Sequence, residues 1–175
     1  ASGTRCSLEH GGMAPTFITK NSDIELCAKS IARGGFYHAG QVCVSVQRVF
    51  VEKSIKDDFL DKFLKETNKL PVGDPFKKDT VVGPLIRESE ILRVDSWINE
   101  SKENGAELIL GGERNAETTY KKTILVNPNK EDKVSNFEIF GPVVTVNEFN
   151  NLDKGIEMAN NVDVSFQASI FTNRI

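Results

Sequence analysis

Apolar residues recur at helical spacing near the start of the chain. The repeat runs through Ile24, Cys27, Ala28, Ile31 and Ala32. Ser22 precedes the repeat, and Glu25 lies three residues after Ser22. This spacing is the pattern of a capping box at a helix N-terminus. The adjacent glycines Gly34 and Gly35 favour the end of a helix. The pattern therefore predicts a helix that begins after Ser22 and ends at the glycine pair.

The next segment, residues 42–52, has the pattern of a strand. Val42, Val44 and Val46 alternate along it, and a β-branched run closes it. Such residues pack well in sheets and have little helix preference, so the pattern predicts a buried strand. Ser54 then predicts the N-cap of a second helix. The apolar side chains of this helix are Phe59, Leu60, Phe63 and Leu64.

The rest of the chain alternates between helix and strand patterns. Two prolines in residues 71–75 predict a connecting loop. A third helix is predicted at about residues 88–104, ending at Gly105, which suits a left-handed C-cap. Short strands are predicted at residues 107–110, 122–127, 143–149 and 166–172, with a helix at about residues 153–161.

This order of elements indicates an α/β domain. Strands that are apolar on both sides are typical of a parallel sheet buried between helices. A chain of 175 residues suits one domain of ordinary size. We therefore expect a three-layer domain with a twisted, largely parallel sheet covered by helices on both faces.

Composition and charge exclude several classes of function. Hydrophobic residues make up 39% and charged residues 27%, as in folded globular domains. The net charge is -3 with both signs spread along the chain, so no nucleic-acid partner is expected. No apolar run is long enough to cross a bilayer, so no membrane partner is expected either. The 3 cysteines lie at wide spacings, which argues against a disulfide framework and for a cytoplasmic location.

A free thiol is the most informative candidate for chemistry. Cys43 follows Gly40-Gln41-Val42, where a loop meets the predicted strand. A cysteine attacks as the thiolate, so a catalytic thiol needs amides or a cation that lower its pKa from roughly 8.5. The alternative is that Cys43 is a small buried residue at the start of a strand. Cys27 lies on the apolar face of the first helix, where core packing is the better interpretation.

Two carboxylates lie next to glycines. Glu9 precedes Gly11-Gly12 and is a candidate general base, or else a solvated surface charge. Glu138 lies between aromatic residues before a Gly-Pro turn. A carboxylate in such a place can accept two ribose hydroxyls, and a structural hydrogen bond to nearby amides is equally admissible.

Three segments together resemble the aldehyde dehydrogenase superfamily, in the order that this family uses. Leu8-Glu9-His10-Gly11-Gly12 resembles its L-E-x-G-G motif, Gly40-Gln41-Val42-Cys43 its G-Q-x-C motif, and residues 138–143 its E-I-F-G-P-V motif. The resemblance extends over essentially the whole chain. His10 and Met13 depart from the residues that the family more often has, which leaves the substrate subgroup open.

The resemblance implies a role for each motif residue. Cys43 is expected to attack an aldehyde, with its own backbone amide in the oxyanion hole, and Glu9 to activate the water that releases the acid. Glu138 is expected to bind the ribose of the nicotinamide half of NAD or NADP, and Phe140 to lie beside the nicotinamide ring. The parent enzyme is expected to be a homo-oligomer. Because family members that transfer the acyl group to coenzyme A commonly lack this glutamate, Glu9 favours a free carboxylic acid as product.

The family's nucleotide-binding half precedes the L-E-x-G-G motif, and no G-x-G-x-x-G follows a predicted strand here. Residues 1–175 are therefore expected to be a single thiol-bearing catalytic domain. By the same resemblance, the upstream nucleotide-binding half and a C-terminal oligomerisation segment are expected to be absent from this chain. We expect this chain alone to be inactive, because hydride transfer requires a held cofactor ring.

Two alternatives to catalysis follow from the same residues. Cys6, His10, His38 and Cys43 are ligand types for a structural zinc ion. Their spacing is not that of common zinc modules, and a domain of this size needs no metal to form a core, so no metal is expected. The other alternative is a folded structural module without catalysis.

Overall fold

The computed structural model describes residues 3–7, 11–165 and 167–174. Within these residues, six strands form one sheet and five α-helices flank it. The strands are β1 (Pro15–Ile18), β2 (Arg48–Glu52), β3 (Glu107–Leu110), β4 (Thr123–Val126), β5 (Val143–Phe149) and β6 (Ser169–Phe171). The α-helices are α1 (Ile24–Phe36), α2 (Lys56–Asn68), α3 (Glu88–Glu103), α4 (Lys133–Asn136) and α5 (Leu152–Ala159). Short 3-10 helices cover Tyr37–Gly40 and Lys53–Ile55.

The sheet is mostly parallel, as the sequence predicts. Its strand order is β3-β4-β5-β2-β1-β6. The pairs β4/β5, β5/β2, β2/β1 and β1/β6 are parallel, and only β3/β4 is antiparallel among the described strands. The apolar runs in the central strands reflect burial on both faces.

Helices cover both faces of the sheet. Helix α1 packs on one face, where Gly35 lies against Val144. Phe149 lies on the opposite face because successive side chains of a strand alternate, and it packs there beside Phe17, Phe50 and α5. These contacts confirm the predicted α/β class with helices on both faces.

Three loops converge at one edge of the sheet. Strands β5, β2 and β1 are neighbours and run in the same direction. The segments that immediately precede them, residues 137–142, 41–47 and 11–14, therefore meet at the amino ends of these strands. Segments that lie far apart in the sequence become adjacent through this topology alone.

The start of α1 differs from the prediction. Asp23 caps the helix, because its carboxylate accepts a hydrogen bond from the Leu26 amide at 3.0 Å. The Ser22 hydroxyl instead donates to the carbonyl oxygens of Thr19 at 2.7 Å and Phe171 at 2.6 Å. Ser22 thus connects the loop before α1 to strand β6 rather than forming a capping box.

The glycine pair does not end α1. Gly34 and Gly35 lie inside the helix, which continues to Phe36. A glycine is needed there for packing, since a β-carbon at Gly35 would lie 2.5 Å from Val144 Cγ2. Close approach between helix and sheet, rather than helix termination, accounts for this residue.

Ser54 is not the cap of α2. It lies in a 3-10 turn, and α2 begins two residues later at Lys56 without a side-chain cap. Apolar spacing located the helix correctly, but the N-cap is Ile55, one residue after the predicted Ser54.

The strand predicted at residues 42–52 is half as long as expected. Strand β2 begins at Arg48, and residues 42–47 form a loop that turns around Cys43. The Ser45 amide donates to the Val42 carbonyl at 2.9 Å, and the Val46 amide donates to Gly34 at 3.1 Å. Because these backbone groups bond within the loop and to α1, the valines do not pair with a neighbouring strand.

Other boundaries differ by a few residues. Strand β3, strand β5 and the end of α3 before Gly105 are as predicted. Strand β6 covers only residues 169–171, and Phe166 lies outside the described residues. Strand β1 and the four-residue helix α4 have too few residues to show a period, and the sequence did not reveal them.

We expect Gly35→Ala to lower the free energy of unfolding by about 2 kcal/mol, because a β-carbon there forces apart α1 and β5. Urea denaturation of the chain measures this change. Gly73→Ala is the matched control, since the nearest atom to its β-carbon would lie at an ordinary 3.9 Å. Equal unfolding midpoints for the two variants would show that α1 does not pack as closely as described.

Candidate active site

The loop that leads to Cys43 begins with an unusual backbone turn. His38, Ala39 and Gly40 all have positive φ angles, of 52°, 55° and 70°. This region favours glycine, so the two non-glycine residues are strained. Gly40 also lies against Gly141, and a β-carbon at Gly40 would be 2.0 Å from the Gly141 carbonyl oxygen. Only glycine fits at this contact.

Cys43 is half-buried in the turn that follows. The Gln41 side chain fixes the start of this turn, because its amide donates to Pro84 at 3.1 Å and its carbonyl accepts from the Ile86 amide at 3.0 Å. The Ser45 hydroxyl lies within hydrogen-bond distance of the last carbonyls of α1. The thiol is therefore carried on a short loop that is held on both sides.

Glu138 lies against the Gly11-Gly12 segment. The Gly12 amide donates to Glu138 Oε1 at 3.1 Å. A β-carbon at Gly11 would lie 2.2 Å from Glu138 Oε2. The structural hydrogen bond that the sequence left open is thus present, and Gly11 is needed so that the carboxylate can approach.

Phe140 presents an aromatic side chain to solvent at the same edge. Its φ angle is 49°, and 43% of its surface is exposed. A large apolar side chain in a strained left-handed conformation is uncommon and is typical of a functional position. Gly12, Val42, Glu138 and Phe140 line one small cavity at this edge.

Sequence reasoning did not identify Gln47 and Arg48 as part of this region. Gln47 is buried and binds the segment that contains Glu138 through three hydrogen bonds. Arg48 is also buried, and its guanidinium donates to the carbonyl oxygens of Met13 and Ala159. Burial lowers the pKa of Arg48 to about 10. Both residues interrupt the apolar pattern of a buried segment, which was the one available signal.

The predicted site residues have different outcomes. Cys43, Glu138 and Phe140 all lie in the loops at the amino ends of β2 and β5. Glu9 and His10 lie outside the described residues. Met13 is buried and anchors Arg48 through its carbonyl.

The zinc alternative is not tested by the structure, because His10 lies outside the described residues. Within residues 3–7, 11–165 and 167–174, no group of three or more His, Cys, Asp or Glu side chains is placed to hold a metal ion. Across the same part of the chain, every helix is too short or too polar to traverse a bilayer.

The site residues fit the nicotinamide end of a dinucleotide. Glu138 is only half-buried and has lone pairs beyond the one that accepts from Gly12, so it can also accept ribose hydroxyls. Phe140 offers an exposed ring of the kind that packs on a planar heterocycle. The chemistry and exposure of both side chains are therefore suited to this group.

The three thiols differ in their environment. Cys6 is exposed, Cys43 is half-buried and Cys27 is fully buried in α1. Burial is the largest cause that raises the pKa of Cys27 to about 11, opposed by a hydrogen bond with Ser22. The interpretation of Cys27 as a core residue agrees with this position.

In this α/β domain, loops that carry a thiol, a carboxylate and an exposed ring lie at the amino ends of neighbouring parallel strands. The model of the aldehyde dehydrogenase family matches residues 1–175. The chain therefore belongs to the aldehyde dehydrogenase family.

Individual relatives agree with this assignment. The 3-sulfolactaldehyde dehydrogenase of Priestia aryabhattai is 41% identical over 169 residues, which cover 97% of this chain and 35% of that protein. The crystal structure of an NAD-dependent aldehyde dehydrogenase from Sinorhizobium meliloti has a TM-score of 0.94 at 31% identity, over 99% of this chain and 35% of that one. A glyceraldehyde-3-phosphate dehydrogenase from Methanocaldococcus jannaschii, complexed with NADP, has a TM-score of 0.89 at 32% identity, over 94% of this chain and 36% of that one. The chain thus spans about a third of the length of these relatives.

We expect iodoacetamide at about pH 8 to alkylate Cys6 and Cys43 in the folded chain and to spare Cys27, because reaction needs an accessible thiolate. Peptide mapping by mass spectrometry measures the modification of each thiol. Denatured chain, in which all three thiols react, is the control. Alkylation of Cys27 as fast as Cys6 would contradict its buried position.

Proposed function

We propose that this chain is the thiol-bearing catalytic domain of an enzyme that oxidises an aldehyde to a carboxylic acid with NAD or NADP. The observation that carries the proposal is the convergence of the Cys43 loop, Glu138 and Phe140 at the amino ends of adjacent parallel strands. Family membership supports it independently.

Cys43 is the proposed nucleophile. Its sulfur forms a bond to the aldehyde carbon, and the carbonyl oxygen takes the negative charge of the resulting thiohemiacetal. Backbone amides of the loop, including that of Cys43, are proposed to stabilise this oxygen. The close fit of Gly40 on Gly141 supports this role, because a fixed loop keeps sulfur and amide in constant geometry.

Glu138 and Phe140 are the residues proposed to hold the nicotinamide half of the cofactor. Glu138 accepts hydrogen bonds from the ribose, and the ring of Phe140 packs beside the nicotinamide. NAD or NADP, when bound, would supply the hydride acceptor, and loss of a hydride from the thiohemiacetal carbon would leave a thioester on Cys43. Relatives that use NAD and NADP are both similar to this chain, which supports the cofactor class without choosing between the two.

Glu9 is the proposed general base for the second half of the reaction. It takes a proton from water, and the water oxygen attacks the thioester carbon. The carbon–sulfur bond then breaks, and the proton on Glu9 passes to the departing sulfur. The products are a carboxylic acid and the restored thiol of Cys43. Glu9 precedes Gly11-Gly12, which contact Glu138, and this sequence position supports a role at the same edge.

The proposed activity belongs to a longer protein. We propose that a nucleotide-binding half completes the cofactor site and that an oligomerisation segment joins copies of the enzyme. The length of the relatives supports this, since the chain spans 35% of the 3-sulfolactaldehyde dehydrogenase. That relative also makes 3-sulfolactaldehyde a first substrate to assay.

We expect Cys43→Ala in the longer protein to reduce aldehyde oxidation by at least about a thousandfold, because the covalent step is lost. NAD(P)H absorbance measures the rate. Cys6→Ala, at an exposed thiol, is the matched control and is expected to retain the wild-type rate. Residues 1–175 alone are expected to give no rate. An unchanged rate in Cys43→Ala would remove this thiol from the mechanism.

We expect Glu9→Gln to slow thioester hydrolysis while leaving acylation of Cys43 largely intact, because an amide cannot take the proton of water. Rapid mixing should then show one burst of NAD(P)H per active site, followed by a steady rate lowered roughly a hundredfold. Mass spectrometry of the trapped acyl-enzyme checks the intermediate. Wild-type protein that requires coenzyme A for turnover would contradict release of a free acid.

A further inference from the structure

We propose that Gln47 is a positioning residue that holds Glu138 in place for the dinucleotide ribose. This inference rests on the proposed function, since it assigns Gln47 a role in the cofactor site described there. Gln47 does not line up with any of the three sequence motifs, and its role follows from its contacts alone.

The carboxamide of Gln47 binds both neighbours of Glu138. Its Oε1 accepts from the Ile139 amide at 2.8 Å, and its Nε2 donates to the Phe137 carbonyl at 2.8 Å. The Gln47 side chain thus pairs with this backbone as a peptide group of an adjacent strand would, with one bond accepted and one donated. With the residues on both sides fixed, the direction of the Glu138 side chain is constrained.

The other end of Gln47 is also fixed. The backbone carbonyl oxygen of Gln47 accepts a hydrogen bond from the Thr145 amide at 2.8 Å and lies 3.2 Å from the Thr145 hydroxyl. Gln47 lies between Cys43 and the start of β2 and is only 5% exposed. The residue is therefore a rigid connection between the thiol-bearing loop and the segment that presents Glu138.

A buried carboxamide of this kind is costly to disturb. If the Gln47 carboxamide is removed, the buried Ile139 amide loses its partner, and the partly buried Phe137 carbonyl loses one as well. The Glu138 segment must then move to find new partners. The carboxylate shifts relative to Gly12, and a displacement of about 1 Å is enough to weaken a positioned contact.

Arg93 provides an independent contact with the same segment. Its Nη2 donates to the Ile139 carbonyl at 2.6 Å, and its guanidinium is paired with Glu90 and stacked on Trp97. Arg93 is half-buried at the surface of α3, so substitutions there disturb the fold less than substitutions at Gln47. It supplies a second variant that acts on the same peptide.

The test uses the longer protein with NAD and NADP assayed in parallel. We expect Gln47→Met to raise the dinucleotide KM roughly tenfold and to change kcat by less than about threefold, because the carboxylate is displaced but the thiol is not. Arg93→Met should raise the same KM by a smaller factor. Fluorescence titration of dinucleotide binding, which needs no turnover, should show the same order.

Gln47→Glu gives a rescue that a purely structural role does not predict. Burial against carbonyl oxygens favours the protonated carboxyl, which donates to Phe137 and accepts from Ile139 as the carboxamide does. Relative to wild type at each pH, the dinucleotide KM of Gln47→Glu should therefore fall as the pH is lowered from about 8 to about 6. A ratio that stays constant over this range would overturn the assignment.

Tyr120→Phe is the control for lost stability. It removes a buried hydrogen bond to Asp95, at 2.7 Å, with no contact to residues 137–141 among the described hydrogen bonds. We expect it to lower the unfolding midpoint and leave the dinucleotide KM unchanged. If the wild-type protein is active and Gln47→Met leaves its dinucleotide KM unchanged, the inference about Gln47 fails while the proposed function stands. The same holds if Arg93→Met folds stably and leaves that KM unchanged. If the wild-type protein binds no dinucleotide, the proposed function fails and the inference fails with it.

Discussion

The contact between Gly40 and the carbonyl of Gly141 sets the geometry of the whole edge. The backbone that leads to Cys43 and the backbone that follows Phe140 lie in direct contact, so no β-carbon fits at Gly40. Left-handed residues on both sides make the contact possible, at His38, Ala39 and Gly40 and again at Phe140. Strain of this kind persists only where surrounding packing enforces it, and here the buried Gln47 and the helix α1 supply that packing.

Parallel topology explains why such distant segments form one site. Residues 11–14, 41–47 and 137–142 each precede a strand, and the three strands are neighbours. Once the three parallel strands are paired in the sheet, the loops that precede them lie at the same edge. Hydrogen bonds then join the loops across the strands, from Gly12 to Glu138 and from Ile139 to Gln47. The site is therefore assembled by the sheet and adjusted by a few buried polar contacts.

Much of this arrangement was predictable from the sequence, and the failures have physical reasons. Periodicity located α1, α2, α3 and β5 because these elements bury a face, and the motifs directed attention to Cys43 and Glu138. The valines at residues 42–46 resembled a strand because half-buried loop residues can be as apolar as strand residues, and Val46 lies against Gly34 of α1. Gly35 resembled a helix end, since the sequence does not show how close Val144 lies. Gln47 was not assigned a role because its side-chain partners are backbone groups, and its one sequence signal, a polar residue in an apolar segment, does not identify them.

The contact of Glu138 with Gly12 leaves acceptor positions on the carboxylate for the proposed ribose contact. A carboxylate has about four lone-pair directions, and the Gly12 amide occupies one of them. The fit of Oε2 against Gly11 requires the absence of a side chain there, so Gly11 and Glu138 are matched in shape. The hydrogen bond that the Gly12 amide donates orients one oxygen of the carboxylate, and the other acceptor directions remain available for hydroxyls. The structural hydrogen bond of Glu138 and its proposed ligand-binding role are therefore compatible.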